Sequence, residues 1–119
     1  MVDIEYTDEF EQWWNGLSVA EQESVDFSIQ LLAEFGVGLK RPHADTLKGA
    51  GIANLRELRC QHQGRPYRVL YVFDPRRSAV LLLGGDKTGD ANWYKEHVPE
   101  AERIYGEYLA QLRREGLID

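Results

Sequence analysis

Arg59 and Arg68 stand on either side of a Gln63-Gly64 pair, inside two strand-like runs. If Gln63-Gly64 is a two-residue hairpin loop, His62 faces Arg65, and a constant index sum puts Arg59 directly opposite Arg68. Two like charges about 5 Å apart repel by roughly 1 kcal/mol in water-like surroundings and by about 3 kcal/mol at an effective dielectric near 20. A hairpin shaped by stability alone would avoid that pairing, whereas an anion between the guanidinium groups reverses its sign. Arg68 shares its face with Leu70 and Val72, which partly desolvate it and strengthen its hold on a phosphate. Glu57, two residues from Arg59 on the same face, supports a second outcome in which it neutralises the pair as a structural salt-bridge network.

A third cation follows the next strand. The run Leu81-Leu82-Leu83-Gly84-Gly85-Asp86-Lys87-Thr88-Gly89-Asp90 reads as a buried strand ending in a loop whose glycines allow a ligand backbone to come close, with Lys87 at its centre. It is not a P-loop, because the Lys-Ser/Thr ending and an immediately following helix are missing. His43, His62 and His97 are scattered, and no HxxxH or Cys/His cluster occurs, so neither a metal site nor a cofactor is expected.

The elements that must position these groups can be read from periodicity. Val2 to Tyr6 alternates as a short strand, and Asp8-x-x-Glu11 reads as a capping box opening a helix with Phe10, Trp13, Trp14 and Leu17 on one stripe. Ser18-x-x-Glu21 is a second capping box, followed by Val25, Ile29, Leu32 and Phe35, with Gly36 placed to end the helix. Residues 36 to 53 read as a connecting loop. Three strands are predicted at Asn54 to His62, Pro66 to Phe73 and Ala79 to Leu83, joined by short turns as an antiparallel meander. Pro99 suits the first turn of a last helix bearing Ala101, Ile104, Tyr105, Tyr108 and Leu112. The predicted order is β-α-α-β-β-β-α, class α+β: a curved antiparallel sheet packed against an N-terminal helical hairpin and a C-terminal helix, with the helices on one side.

The 119 residues, 43% hydrophobic and 29% charged, suit a single domain spanning 1-119. The lone Cys60 excludes an internal disulfide, and no apolar run is long enough for export or membrane insertion, so a reducing cytoplasm is expected. The net charge of −6 argues at first against nucleic acid. Its distribution does not: Lys40 to Lys95 holds eleven basic and five acidic residues, +6, while the flanks hold three and fifteen, −12. A basic middle between acidic ends suits an anionic substrate or an oppositely patterned partner.

Glu57-Leu58-Arg59, Gly64, Tyr67-Arg68-Val69-Leu70-Tyr71 and Leu81-Leu82-Leu83-Gly84-Gly85-Asp86-Lys87, in this order and spacing, resemble the RelE/ParE superfamily and within it the HigB-like, phage Gp49-like toxins. The resemblance implies the toxin of a type II toxin-antitoxin system, an mRNA endoribonuclease working without metal on the ribosome and inhibiting translation. In it the substrate 2′-hydroxyl attacks the adjacent phosphorus. By position in the motifs, Arg68 becomes the principal phosphate clamp, Arg59 its strand neighbour and Lys87 a second charge stabiliser. Tyr94 falls where some relatives carry a tyrosine that stacks on or protonates the nucleotide, and Glu57, where related enzymes often carry lysine, becomes a candidate general base. Arg56, Arg65, Lys48, Trp93 and Lys95 are the further candidates for RNA contact. The implied partners are a cognate HigA-like helix-turn-helix antitoxin, through which operator DNA is touched indirectly, together with mRNA and the ribosome; no membrane is implied. Two other functions stay open: a ParE-like poison of DNA gyrase, and a non-catalytic module acting in an antitoxin–DNA autoregulatory complex.

Overall fold

The computed structural model describes residues 1–52 and 54–119; Ala53, the last position of the expected loop, lies outside them. Strand β1 (Ile4–Tyr6) leads into helices α1 (Asp8–Asn15) and α2 (Val19–Phe35), and a 3-10 turn at Gly36–Gly38 closes α2. Strands β2 (Ala44–Thr46), β3 (Arg56–His62), β4 (Arg65–Phe73) and β5 (Ala79–Asp86) follow, and α3 (Trp93–Arg114) ends the fold. The strands form one sheet in the order β1-β5-β4-β3-β2.

The α+β organisation matches the expectation in outline and departs from it in four ways. β1 pairs with β5 in parallel, so the sheet is mixed and not wholly antiparallel. β2 lies inside the stretch read as loop: Ala44 is fully buried against the sheet opposite Leu58, but three residues carry no periodicity to announce it. The helices cover both faces, not one. Along β4 the alternate residues Val69 and Tyr71 pack with Phe10, Val25, Ile29 and Leu32 of α1 and α2. Leu70 and Val72 pack instead with Trp93, Ala101 and Ile104 of α3. A run buried on both faces is what helices on both sides of a sheet require. Finally, α3 starts six residues before Pro99, which sits in its interior; the missing N–H there costs the helix a hydrogen bond.

The N-terminal caps set the helical hairpin. Ser18 and Glu21 form the expected reciprocal capping box. The α1 cap is Thr7, not Asp8: its Oγ1 accepts from the Phe10 N–H at 3.2 Å and donates to the Leu82 carbonyl at 2.6 Å, tying the helix start to β5. Among the described residues no helix is long and apolar enough to cross a membrane.

Candidate active site

The hairpin fixes the first three groups. β3 and β4 pair with Arg59 opposite Arg68, Glu57 opposite Leu70 and His62 opposite Arg65, the register of a two-residue loop. Gln63 and Gly64 supply the positive φ values, 50° and 77°, that such a loop needs. Facing residues share a side of the sheet, so Glu57, Arg59 and Arg68 emerge together on the α3 side, beyond the apolar layer of Leu70 and Val72.

Glu57 is the hub of this group. It is buried, and its Oε1 lies 2.8 Å from Arg68 Nε and 3.7 Å from Arg59 Nε. The Tyr94 hydroxyl donates to the same oxygen at 2.7 Å and accepts from Arg68 Nε at 3.2 Å. Arg68 is only 8% exposed, and its Nη1 donates to the Tyr67 carbonyl. Arg59 is freer: Nη2 stands 3.6 Å from Asp45, which Arg41 holds more closely at 2.6 Å, and its buried Nε has no hydrogen-bond partner among the described residues. A buried donor left without a partner costs about 1–3 kcal/mol, so the resting arrangement does not satisfy Arg59.

Tyr94 reaches Glu57 because α3 begins where the glycines of β5 leave room. Gly85 pairs with Arg68, and a Cβ there would stand 2.7 Å from Trp93 Nε1; a Cβ at Gly84 would run into the Trp13 ring. Both glycines therefore lie in β5 under tryptophans, one on each face, and not in a ligand-cradling loop as expected. Close packing replaces close ligand approach as their role. With Trp93 seated, Tyr94 projects over the Glu57–Arg68 pair, and Lys87 Nζ lies 5.6 Å from the Tyr94 ring centroid. Burial, together with the neighbouring Glu57 carboxylate, pushes the Tyr94 hydroxyl pKa above the usual tyrosine value, so it holds its proton at neutral pH.

Arg59 and Arg68 thus flank one carboxylate, and Lys87 lies against the ring of the phenol that bonds it. Glu57, Arg59 and Tyr94 line the floor of a groove of about 720 Å³ whose walls include Lys48, Lys95, Leu47, Ala50, Val98 and Glu102. The other candidates for RNA contact lie elsewhere. The Arg56 guanidinium is used up on the opposite face by the Tyr71 hydroxyl, Thr46 Oγ1 and the Leu39 carbonyl. Arg65 pairs with Asp86 and stacks on Tyr67, again on the α1–α2 side. Trp93 is 3% exposed under α3, which removes it as a stacking surface. His62 bonds Ser24 Oγ, and His97 packs on Trp93, so neither histidine joins the cluster. Sequence reasoning passed over Asp45 and Glu102, the two further carboxylates of the groove. Asp45 hid in the unrecognised β2, and Glu102 carried no signal beyond its i+8 spacing from Tyr94 on α3.

Residues 12–106 match the family described as Phage derived protein Gp49-like. HigB2 of Mycobacterium tuberculosis is 40% identical over 102 residues, covering 84% of this chain and 51% of its own length; the chain spans about half of that relative. HigB3 of the same organism is 39% identical over 101 residues, covering 84% of this chain and 87% of its own. Among solved structures, Escherichia coli toxin RelE, as a double arginine-to-alanine mutant in the free state, superposes with a TM-score of 0.61 at 13% identity, covering 83% of this chain and 96% of that one. The fold is RelE-like, the relatives at 39–40% identity are HigB proteins, and the chain belongs to the phage-derived Gp49-like family.

Proposed function

We propose that the protein is the toxin of a type II toxin-antitoxin system and an endoribonuclease that cuts messenger RNA on the ribosome, inhibiting translation. The observation carrying this reading is the convergence of Arg59, Arg68 and Tyr94 on Glu57, with Lys87 beside the Tyr94 ring, where Glu57, Arg59 and Tyr94 line an open groove. Its relatives HigB2 and HigB3 are named as toxins. The reaction is transfer of the phosphodiester from the 5′-oxygen to the neighbouring 2′-oxygen, which leaves a 2′,3′-cyclic phosphate and a free 5′-hydroxyl. Glu57 takes the 2′-hydroxyl proton once Tyr94 turns away from it. Tyr94, which keeps its proton, then donates it to the departing 5′-oxygen. Arg68 and Arg59 hold the phosphate oxygens, and Lys87 offsets the extra charge of the transition state; each such group is worth about 10²–10³ in rate. Arg59, whose buried Nε has no partner at rest among the described residues, gains one for it when the side chain turns toward an arriving phosphate.

A second reading has its own support. Arg68 is buried, with Nε and Nη1 both engaged inside the chain, and Glu57 already supplies its counter-charge. That is the arrangement of a non-catalytic module in an antitoxin–DNA complex. In either case the partner is a cognate HigA-like helix-turn-helix antitoxin, and the setting is the cytoplasm. The experiment is induction of the wild type and Arg68→Ala in cells lacking the antitoxin, with messenger RNA 5′ ends mapped. Growth arrest with new cuts, both abolished by Arg68→Ala, is the expected result. Arrest without cuts overturns the nuclease in favour of a gyrase poison, and no arrest overturns it in favour of the binding module.

A further inference from the structure

The groove continues past the cation cluster, and its far end has a different chemistry. Tyr94, Val98 and Glu102 follow one another at i, i+4 and i+8 along α3, so their backbone positions span about 12 Å of one helical stripe. Leu47 and Ala50 on one side and Val98 and Pro99 on the other give the lining an apolar stretch, with Thr46, Lys48 and Lys95 also in the walls. This loop is pressed onto α3, since Glu102 occupies the space that a Cβ at Gly51 would take. Glu102 makes no hydrogen bond or ion pair among the described residues, although it is half-buried. The volume, about 720 Å³, lies in the range of small-ligand clefts.

An apolar stretch of groove beside the proposed phosphate site, ending in a carboxylate, has the chemistry for one unpaired nucleobase. Single-stranded RNA is read in this way, by stacking or packing of a splayed base and hydrogen bonds to its Watson–Crick edge. A carboxylate is an acceptor only. Guanine is the one base that presents two adjacent donors on that edge, N1–H and the 2-amino group, matching the two carboxylate oxygens. Uracil offers a single N–H flanked by two carbonyl oxygens that the carboxylate repels. Two turns of helix separate Glu102 from Tyr94, and solvent in the open groove, with a screening length of roughly 8–10 Å, weakens the repulsion between its charge and a bound phosphate. Lys95, on the same wall, further offsets it.

We propose that Glu102 is a specificity-determining residue that accepts a guanine at the far end of the groove, seated between Leu47–Ala50 and Val98–Pro99. This rests on the reading of Glu57, Arg59, Arg68, Lys87 and Tyr94 as the phosphodiester site. The test uses short single-stranded RNAs with a 2′-deoxy residue at the scissile position, differing only in one base (guanine, inosine or uracil), and measures binding by fluorescence anisotropy. Wild-type protein binds the guanine form about tenfold or more tighter than the uracil form, with inosine between, as a bidentate base contact requires. Glu102→Gln binds all three within a few-fold of one another. Equal binding of the three RNAs by the wild type, or unchanged discrimination in Glu102→Gln, overturns the assignment. Mapping of cut sites in cells separates the two levels. Cuts by the wild type with the same base distribution in Glu102→Gln remove the guanine slot and leave the nuclease standing, whereas absence of cuts by the wild type removes both. The inosine comparison needs no variant and so holds if Glu102→Gln fails to fold.

Discussion

Replacing Glu57 by alanine tests how the cluster is balanced, and its size can be worked from the structure. Glu57 Oε1 sits 2.8 Å from Arg68 Nε and 3.7 Å from Arg59 Nε, and both Glu57 and Arg68 are buried. Removing one partner of a buried ion pair costs about 3–5 kcal/mol, because the remaining charge keeps its desolvation penalty without compensation. The facing arginines then repel, by about 3 kcal/mol at an effective dielectric near 20, although solvent around the 30%-exposed Arg59 side chain absorbs much of this. A net loss of about 4 kcal/mol is expected, which for a chain of this length lowers Tm by about 16 °C. Inorganic phosphate should then stabilise the variant more than the wild type, since the anion takes the vacated position; at a hundred times its Kd it returns about 2.7 kcal/mol. Thermal melts of both proteins with and without phosphate decide the matter. A Tm for Glu57→Ala within about 4 °C of wild type, or equal phosphate shifts in the two proteins, refutes the view that Glu57 holds the place of an anion.

Tyr94→Phe removes the hydroxyl that bonds Glu57 and Arg68, so cleavage should fall about 10²-fold or more while stability changes by about 1 kcal/mol; cleavage rate and thermal melts together check it. Because burial and the Glu57 carboxylate raise the Tyr94 pKa, the alkaline limb of the wild-type pH–rate profile that reports tyrosinate should lie at higher pH than for an ordinary tyrosine. Glu21 is held down to about 2 chiefly by the hydrogen bond from Tyr67, so its contribution is complete above the ordinary carboxylate pKa of 4.5 and is lost as pH falls from there through about 2. Tyr67→Phe should flatten that limb of an acid-denaturation curve and leave the neutral region's pH dependence unchanged. Gly85→Ala drives a methyl into Trp93, at a cost of about 1–3 kcal/mol, and shifts Tyr94 with it, so activity should fall more than thermal stability accounts for.

The hairpin was legible because its rule is geometric. Once Gln63-Gly64 is a two-residue loop, the partners of Arg59 and Arg68 follow by counting, and the two positive φ values are the physical reason the loop is that short. The helical hairpin was legible for the same kind of reason, through the Ser18–Glu21 box and the apolar stripe. What failed depended on long-range packing. Gly84 and Gly85 read as loop residues, yet their purpose is set by Trp13 and Trp93, some 71 and 8 positions away in the chain. Pro99 read as a helix start because nothing local says that Trp93, docked on Gly85, begins the helix earlier. Arg56 and Trp93 looked like surface RNA contacts, and only the tertiary structure directs one to Tyr71 and buries the other under α3. Glu57 between the two arginines was one of the two outcomes that the hairpin register offered, whereas the docking of Tyr94 onto it depends on where α3 begins and was not legible.

The central claim is that one phosphate is gathered by Arg59 and Arg68 on the α3 side of the sheet. It is tested most directly by recording the arginine Nε–Hε resonances of the wild-type protein while titrating a 3′-nucleoside monophosphate. Saturable shifts of the Arg59 and Arg68 signals are expected, with those of Arg56 and Arg76, held by Tyr71 and Asp74, left in place. Shifts confined to Arg56, Arg65 or Arg76, or none at Arg59 and Arg68 at saturating nucleotide, would contradict it.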